Sequence, residues 1–388
     1  MVPPYFQEEG LSIFNRDFLC IFVILPNVKT GVELKLLQLI GFGLGGVLVA
    51  IIVNVILLRF SRTLGIRNKN DVVVRWSNES KPSLGGVSFY VVFVFAAIAY
   101  AIVFFDEPNI FQNKKFVGLI GAGSIAFLMG LADDAYNTRP LLKLLVQISC
   151  GVLFVVTGSN IELFHSFYPD AIVTVLWVII VMNSLNMLDN MDGITGTTVF
   201  FILLASLVSS WLVFGFNSNI WSLLLVSVIG AVSGFLIMNI NPSKLFMGDA
   251  GSQFIGLFVS FFAIQFFWNV PSYHEYPSWL GACITLVAFT PAAADTLTVV
   301  INRLKRGQSP MVGGKDHTTH HLVYAGLTDR KVWYVFLAIG FVACLLAISM
   351  INMLTLQVLY PIAFYVIYFV IVFIYLYRNT IKYPAPKK

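Results

Sequence analysis

Charge is what this sequence has least of. Only 11% of its residues are Asp, Glu, Lys or Arg, where soluble domains carry roughly 25%. A chain so poor in charge cannot cover a water-facing surface, and its 388 residues are therefore not a string of soluble domains. Cysteine is also scarce. Cys20, Cys150, Cys283 and Cys344 stand singly in apolar runs with no CxxC, which excludes a disulfide framework or a zinc ribbon and fits small buried hydrophobes. The first residues lack the basic region of a cleavable signal, since Glu8 and Glu9 precede an apolar stretch that Arg16 and Asp17 interrupt. No internal repeat, low-complexity tract or linker is visible. No basic stripe is interleaved with exposed aromatics, so the net charge of +5 implies anionic headgroups and not nucleic acid.

What fills the chain is apolar: 58% of residues are hydrophobic. A span needs about 20 mostly apolar residues. Eleven segments qualify or nearly so: 35–58, 85–105, 116–132, 141–158, 171–188, 196–214, 220–240, 251–269, 279–301, 332–352 and 356–377. The predicted fold is an all-α integral membrane protein, a polytopic bundle of about 10–11 transmembrane helices forming a single domain over 1–388. The segment 11–26 could lie in the interface.

Lys and Arg gather in alternate loops. One set holds Arg59, Arg62, Arg67, Lys69, Arg75, Lys81, Arg139, Lys143 and Lys244. It continues through Arg303, Lys305, Arg306, Lys315, Arg330 and Lys331 to the C-terminal cluster from Arg378 to Lys388. The positive-inside rule makes that face cytosolic. The loops 59–84, 133–140, 189–195, 241–250 and 302–331 then lie inside with the C-terminus, and the segment 1–34 lies outside. The outer loops 159–170, 215–219 and 270–278 contain no Lys or Arg. Nearly all unusual residues are on the inner side.

Asp133 and Asp134 close the third span. A carboxylate costs ~2.5–3.5 kcal/mol at a helix centre, less near the interface. Two adjacent ones repel, which a cation or a shared proton would relieve; the plain alternative is a solvated helix end. Asn183, Asn186, Asp189, Asn190 and Asp192 end the fifth span at spacings that put amides and a carboxylate on one face. Polar groups that deep in an apolar run must face a bundle interior and are functional by default. Phe246, Gly248, Asp249, Gly251 and Ser252 sit between spans seven and eight. There glycines admit close approach, a helix start offers N–H groups to phosphate, and Asp249 suits a hard cation; an ordinary tight turn is the alternative. Asp295, inside the ninth span, needs a partner, for which Arg303 or Lys305 about two turns on is the candidate. His317, His320 and His321 share a face if helical, and with Arg306 and Lys315 nearby they suit an anionic substrate better than zinc. Lys81 and Lys143 hold phosphate or snorkel to the interface. Gly41, Gly43 and Gly46 match G-x-G-x-x-G, but with no preceding strand they indicate helix packing, not a dinucleotide site.

The order of these motifs is more specific than any one of them. KPSLGG, LADD, NSLNMLDNMDG, FMGDAGS and DT…RLKRGQSP…KDHTTHHL together resemble the polyprenyl-phosphate N-acetylhexosamine-1-phosphate transferases over roughly residues 35–350. The resemblance is closest to the WecA/TagO-like branch of glycosyltransferase family 4. The branch that transfers phospho-MurNAc-pentapeptide usually shows three adjacent histidines after a proline, unlike His317-Thr-Thr-His320-His321. The resemblance implies transfer of N-acetylhexosamine-1-phosphate, with GlcNAc-1-phosphate as the first candidate, from a UDP-sugar to undecaprenyl phosphate. UMP is released with Mg²⁺ (or Mn²⁺) at the bacterial cytoplasmic membrane, and the product starts a surface polysaccharide. It places the metal on Asn186 and Asp249, and the lipid phosphate by Asp133 and Asp134. Lys143 would hold donor phosphate, with Lys81, Asn183 and Arg306 as further substrate contacts. Phe246 would stack on uracil near Asp192. The histidines would meet sugar and pyrophosphate, and Asp189 matches a carboxylate that some relatives lack. A homodimer is compatible with this picture. The alternatives are the pentapeptide branch and, in another class, a secondary transporter, whose site would lie near the midplane on broken helices within repeats.

Overall fold

The structure, a computed structural model, describes residues 31–63, 81–105, 109–310, 313–358 and 363–386. The N-terminal segment 1–30, with the interfacial stretch at 11–26 and Cys20, and most of the loop 59–84 lie outside the described residues.

Apolar segments fold as helices because lipid leaves no other partner for backbone N–H and C=O groups. Among the described residues there are fourteen α-helices: α1 Gly31–Thr63, α2 Val87–Val103, α3 Lys114–Tyr136, α4 Pro140–Val156, α5 Phe167–Leu188, α6 Ile194–Phe214 and α7 Ile220–Asn239, then α8 Gly248–Ala263, α9 Val270–Tyr273, α10 Trp279–Ala288, α11 Thr290–Lys305, α12 Thr318–Tyr324, α13 Asp329–Thr355 and α14 Ala363–Lys382. Among the described residues, eight helices are long and apolar enough to cross a membrane, and the pair α10–α11 is a ninth candidate. The helices α2 and α4 are apolar but shorter. These elements account for all eleven apolar segments of the sequence.

Two of those segments differ from expectation. The run 279–301 is not one straight span, because α10 and α11 meet at 88°. Pro291 stands in the first turn of α11, where its missing N–H and fixed φ favour a fresh helix start over continuation. The last span begins later than position 356, since α13 runs to Thr355 and α14 starts at Ala363.

The axis of the bundle is α8, extended by a π-helical turn at Ile264–Trp268. Its span is 89% buried, against 22% for α1 and 17% for α14, so α8 is the element around which the others pack. It lies against α2, α3, α5 and α6. Phe254, Phe258, Phe261 and Phe262 of α8 are fully buried and meet Phe93, Phe154 and Trp221 at ring distances of 5.4–6.3 Å. At the rim, Leu36, Ile40, Leu44, Leu48, Ile52 and Ile56 expose every fourth side chain of α1, an apolar row suited to lipid.

Two glycines of the α1 triplet, Gly43 and Gly46, pack against α7, whereas a Cβ on Gly41 would meet nothing within 4 Å. A Cβ on Gly46 would stand 2.2 Å from the Ser227 carbonyl oxygen of α7, and one on Gly230 2.3 Å from that of Gly43. Gly130 does the same nearer the site. A Cβ there would lie 2.3 Å from the Asp249 carbonyl oxygen, so its absence lets α3 touch the first turn of α8.

Candidate active site

At one end of the bundle, α3 stops at Asn137, which takes the left-handed conformation (φ 49°). The turn folds back so that Thr138 donates to Asp133 Oδ1 from its backbone N–H (2.8 Å) and its hydroxyl (2.6 Å). Asp133 Oδ2 forms an ion pair with Lys143, which the Pro140 start of α4 brings opposite. Its neighbour turns the other way. Asp134 Oδ2 accepts from the Ala250 N–H at 2.9 Å, in the first turn of α8, where a carboxylate also meets the positive end of the helix dipole. The repulsion expected between these two acids is thus divided between a lysine and a helix start.

Asp249 completes the cluster. Its Oδ1 accepts from Asn186 Nδ2 at 2.5 Å, and its Oδ2 lies 3.5 Å from Lys143 Nζ. Lys143 therefore bridges Asp133 and Asp249, which are also within hydrogen-bond reach of each other. Asn186 reaches Ser252 Oγ at 2.8 Å. Four elements, α3, α4, α5 and α8, converge on one group of carboxylate, amide, hydroxyl and ammonium.

A second group adjoins it. Residues 82–86 and 246–247 pair through Phe246 N–H to Pro82 O, Gly85 N–H to Phe246 O and Gly86 N–H to Met247 O, each 2.9 Å. KPSLGG and FMGD are thereby joined across the chain. Lys81 Nζ lies 5.6 Å over the Phe246 ring and donates to Ser243 Oγ at 3.4 Å. Asp192 Oδ2 accepts from Asn241 Nδ2 (3.4 Å) and Ser243 N–H (3.3 Å). Asn239, buried and not singled out by sequence, ties the two turns: it accepts from Gly193 N–H (2.9 Å) and donates to Leu245 O (2.8 Å). Lys81, Phe246 and Asp192 thus share one loop cluster, while Asp189 is the C-cap of α5, its N–H bonded to Leu185 O.

The histidine segment docks on this end through Thr319, whose hydroxyl donates to Asn190 Oδ1 at 2.6 Å. The partner expected for Asp295 is corrected here. Arg303 is bidentate to Asp316 (3.0 and 2.7 Å), and Lys305 bonds Tyr377. Asp295 instead bonds His317 Nδ1 at 2.8 Å and accepts from the N–H (2.8 Å) and hydroxyl (2.6 Å) of Thr318. Asp295 sits where the free N–H groups of α12 begin, so it caps that helix. An ionised carboxylate only accepts, so His317 carries its proton on Nδ1. His320 and His321 lie in α12 with His317 at its cap, but the three rings are engaged separately. His321 Nδ1 meets Tyr383 O at 2.6 Å, and His320 Nδ1 accepts from His317 N–H at 3.4 Å. Burial, with His317 beside it, pushes His320 down to about 3; burial also lowers His321. Burial alone would raise the Asp316 carboxyl, but Arg303 and Arg306 outweigh it and hold it at about 2. Arg306, expected as a substrate contact, spends one guanidinium nitrogen on Asp316 (2.5 Å) and is partly exposed.

Asn183 is turned inward. Its Nδ2 donates to Gln147 Oε1 (2.7 Å) and Ile179 O (2.8 Å). Gln147 and Gln253, both buried, were not singled out by sequence reasoning. Their signal was available, as amides inside apolar runs one turn from Lys143 and Asp249.

An all-helical membrane bundle with acids, amides and a lysine gathered at one end defines the class. Comparison adds a likeness: residues 116–267, the stretch that holds Asp133, Asp134, Lys143, Asn186, Asp189, Asp192, Phe246 and Asp249, match the model described as Glycosyl transferase family 4. The chain is 26% identical over 280 residues to a protein of Bacillus subtilis (strain 168) described as a probable undecaprenyl-phosphate N-acetylglucosaminyl 1-phosphate transferase, covering 69% of this chain and 72% of that one. It is 25% identical over 352 residues to the decaprenyl-phosphate N-acetylglucosaminephosphotransferase of Mycolicibacterium smegmatis, with 83% and 84% covered. It is 27% identical over 296 residues to the phospho-N-acetylmuramoyl-pentapeptide-transferase of Staphylococcus carnosus, with 69% and 84% covered.

Proposed function

We propose that this protein transfers N-acetylhexosamine-1-phosphate, with GlcNAc-1-phosphate the first candidate, from a UDP-sugar to undecaprenyl phosphate. The observation that carries the proposal is the convergence of Asp133, Lys143, Asn186 and Asp249 within the family-matched region. In the reaction an acceptor phosphate oxygen attacks the β-phosphorus of the UDP-sugar. The bond from that phosphorus to the bridging oxygen breaks, and UMP leaves with the electron pair. Such transfer is chiefly positioning and charge neutralisation. Lys143 sits where it can hold donor phosphate, and Asp133 beside it can orient the acceptor or take its proton. Phe246 offers uracil a ring face, and Asp192 lies in the same loop cluster to read the base edge.

Magnesium fits the donor set. Among the described residues no three His, Cys, Asp or Glu side chains form a metal cage, but Mg²⁺ is typically bound by one or two carboxylates plus substrate phosphates. Asp249, with Asp133 in reach, supplies carboxylate oxygens of that kind, and Asn186, whose Nδ2 faces Asp249, would turn its Oδ1 to the ion. The ion, when bound, would neutralise the pyrophosphate and stabilise the leaving UMP.

The site face is proposed to be cytosolic, where nucleotide sugars are, with the N-terminus outside, the C-terminus inside and the bundle in the bacterial cytoplasmic membrane. A homodimer remains part of the proposal, and crosslinking in membranes checks it. The test of the activity is UMP release in detergent from undecaprenyl phosphate, Mg²⁺ and a panel of UDP-sugars. Release with UDP-GlcNAc is expected. Release with UDP-MurNAc-pentapeptide alone would favour the second reading, which the Staphylococcus carnosus similarity supports. Folded protein that releases no UMP from any donor would count against both, and solute accumulation in sealed vesicles without lipid product would favour a transporter.

A further inference from the structure

One turn deeper than the site, the three helices that carry Lys143, Asn186 and Asp249 each present a carboxamide. Gln147 follows Lys143 on α4, Asn183 precedes Asn186 on α5, and Gln253 follows Asp249 on α8. The spacings of four, three and four residues put each amide on the face of its own site residue. The amides bond to one another. Asn183 Nδ2 donates to Gln147 Oε1 at 2.7 Å, and Gln147 Nε2 reaches Asn183 Oδ1 at 3.4 Å and Gln253 Oε1 at 3.1 Å. Gln147 and Gln253 are each 1% exposed, and Gln253 Nε2 is a buried donor with no acceptor.

Stability alone does not account for this tier. Leucine or methionine would fill the same volume without a buried N–H left unsatisfied. What apolar side chains cannot do is fix axial register. An apolar contact tolerates sliding, whereas a carboxamide chain across three helices has one alignment in which its bonds form, as a buried polar residue sets register in a coiled coil. A slide of one helix by an ångström would part Lys143 from Asp249, which already stand 3.5 Å apart.

We propose that Gln147, Asn183 and Gln253 are positioning residues that lock α4, α5 and α8 in register, so that Lys143, Asn186 and Asp249 meet at one point. Asn183 thereby acts through its neighbours and not on substrate. The inference rests on the transferase reading for its catalytic readout, but not for its structural one.

The test uses full-length protein carrying Gln147→Leu or Gln253→Leu, with Gln253→Met as a closer volume match should either leucine variant fail to fold. Four quantities are read: kcat and KM for UMP release, thermal midpoint, and backbone hydrogen exchange of 143–147 and 249–253. The tier predicts kcat lower by ~10–100-fold, the scale seen when a supporting hydrogen bond around a site is removed. KM for the UDP-sugar should stay within ~2-fold of wild type, the midpoint should be unchanged or higher, and exchange in both segments should be faster. The reciprocal pair Gln147→Asn with Asn183→Gln, which keeps an amide bridge between α4 and α5, should recover most of kcat. Wild-type kcat with unchanged exchange in the substituted proteins would overturn the proposal. So would parallel losses of kcat and midpoint that the reciprocal pair does not recover. If wild type releases no UMP from any donor, the transferase reading falls, and the exchange data alone decide the register lock.

Discussion

Lys143 is shared by two carboxylates, and Asp249 by a lysine and an amide, so single-residue changes at this site leave charges behind. Asp249→Asn keeps the volume and removes the charge. UMP release should fall to background while the thermal midpoint stays within a few degrees; full activity would remove Asp249 from the metal assignment. Asp295→Asn tests the histidine segment. It places an N–H or a neutral oxygen against His317 Nδ1–H in place of an anionic acceptor. Turnover should drop by ~10–100-fold with the UDP-sugar KM little changed, because Asp295 orients the imidazole and is buried from substrate. The pH dependence of stability follows from His320 and Asp316. The folded chain refuses a proton on His320 down to about 3, whereas the ordinary value is 6.5. Between those values the unfolded state binds the extra proton, so stability is full above about pH 6.5 and is lost as pH falls toward 3. Asp316, held at about 2 against an ordinary 3.8, adds a further loss below pH 3.8. Thermal midpoints across pH 3–8 check the sign; a midpoint that rises on acidification would contradict it.

At the scale of elements, close approach of α3 and α8 is the condition for the site. Gly130→Val inserts atoms where even a Cβ would stand 2.3 Å from the Asp249 carbonyl oxygen. The expected outcome is loss of both turnover and thermal stability, since α3 must move off the first turn of α8. Gly45→Ala in α1, where a Cβ meets nothing within 4 Å, should leave both unchanged. The same element pair shows what the sequence makes legible and what it does not. Asp133, Asp134, Asn186 and Asp249 stand out because charge and amide are costly beside apolar runs. Nothing in the spacing of LADD says that Asp133 turns to Lys143 and Asp134 to α8, because that choice is made by the left-handed turn at Asn137 and by Gly130. The bend between α10 and α11 was written in Pro291, yet an apolar count over 279–301 passes through it. Along its own helix the cations nearest to Asp295 are Arg303 and Lys305. In the fold Asp316 takes Arg303, and the acid of α11 is left to cap α12. A lone amide in an apolar run, such as Gln147 or Gln253, resembles a helix–helix contact in sequence, and only the fold brings its partners beside it.

For the molecule as a whole, the polar cluster lies at one end and the fully buried phenylalanines of α8 continue away from it. That polarity demands one orientation in the membrane. A reporter fused after Lys388 should be active on the cytosolic side only; the opposite result would separate the site from nucleotide sugars and remove the transferase reading.

The bond between Asp134 and Ala250 also bears on how the protein is made. Its partners are 116 residues apart. At ~5–20 residues per second of synthesis, α3 waits on the order of 10 s before the first turn of α8 leaves the ribosome. During that delay Lys143, on the very next helix, is available to Asp133, while the bond from Asp134 to the first turn of α8 must wait. A nascent chain halted before α8 would hold the Asp133–Lys143 pair without the helix start that Asp134 meets in the fold.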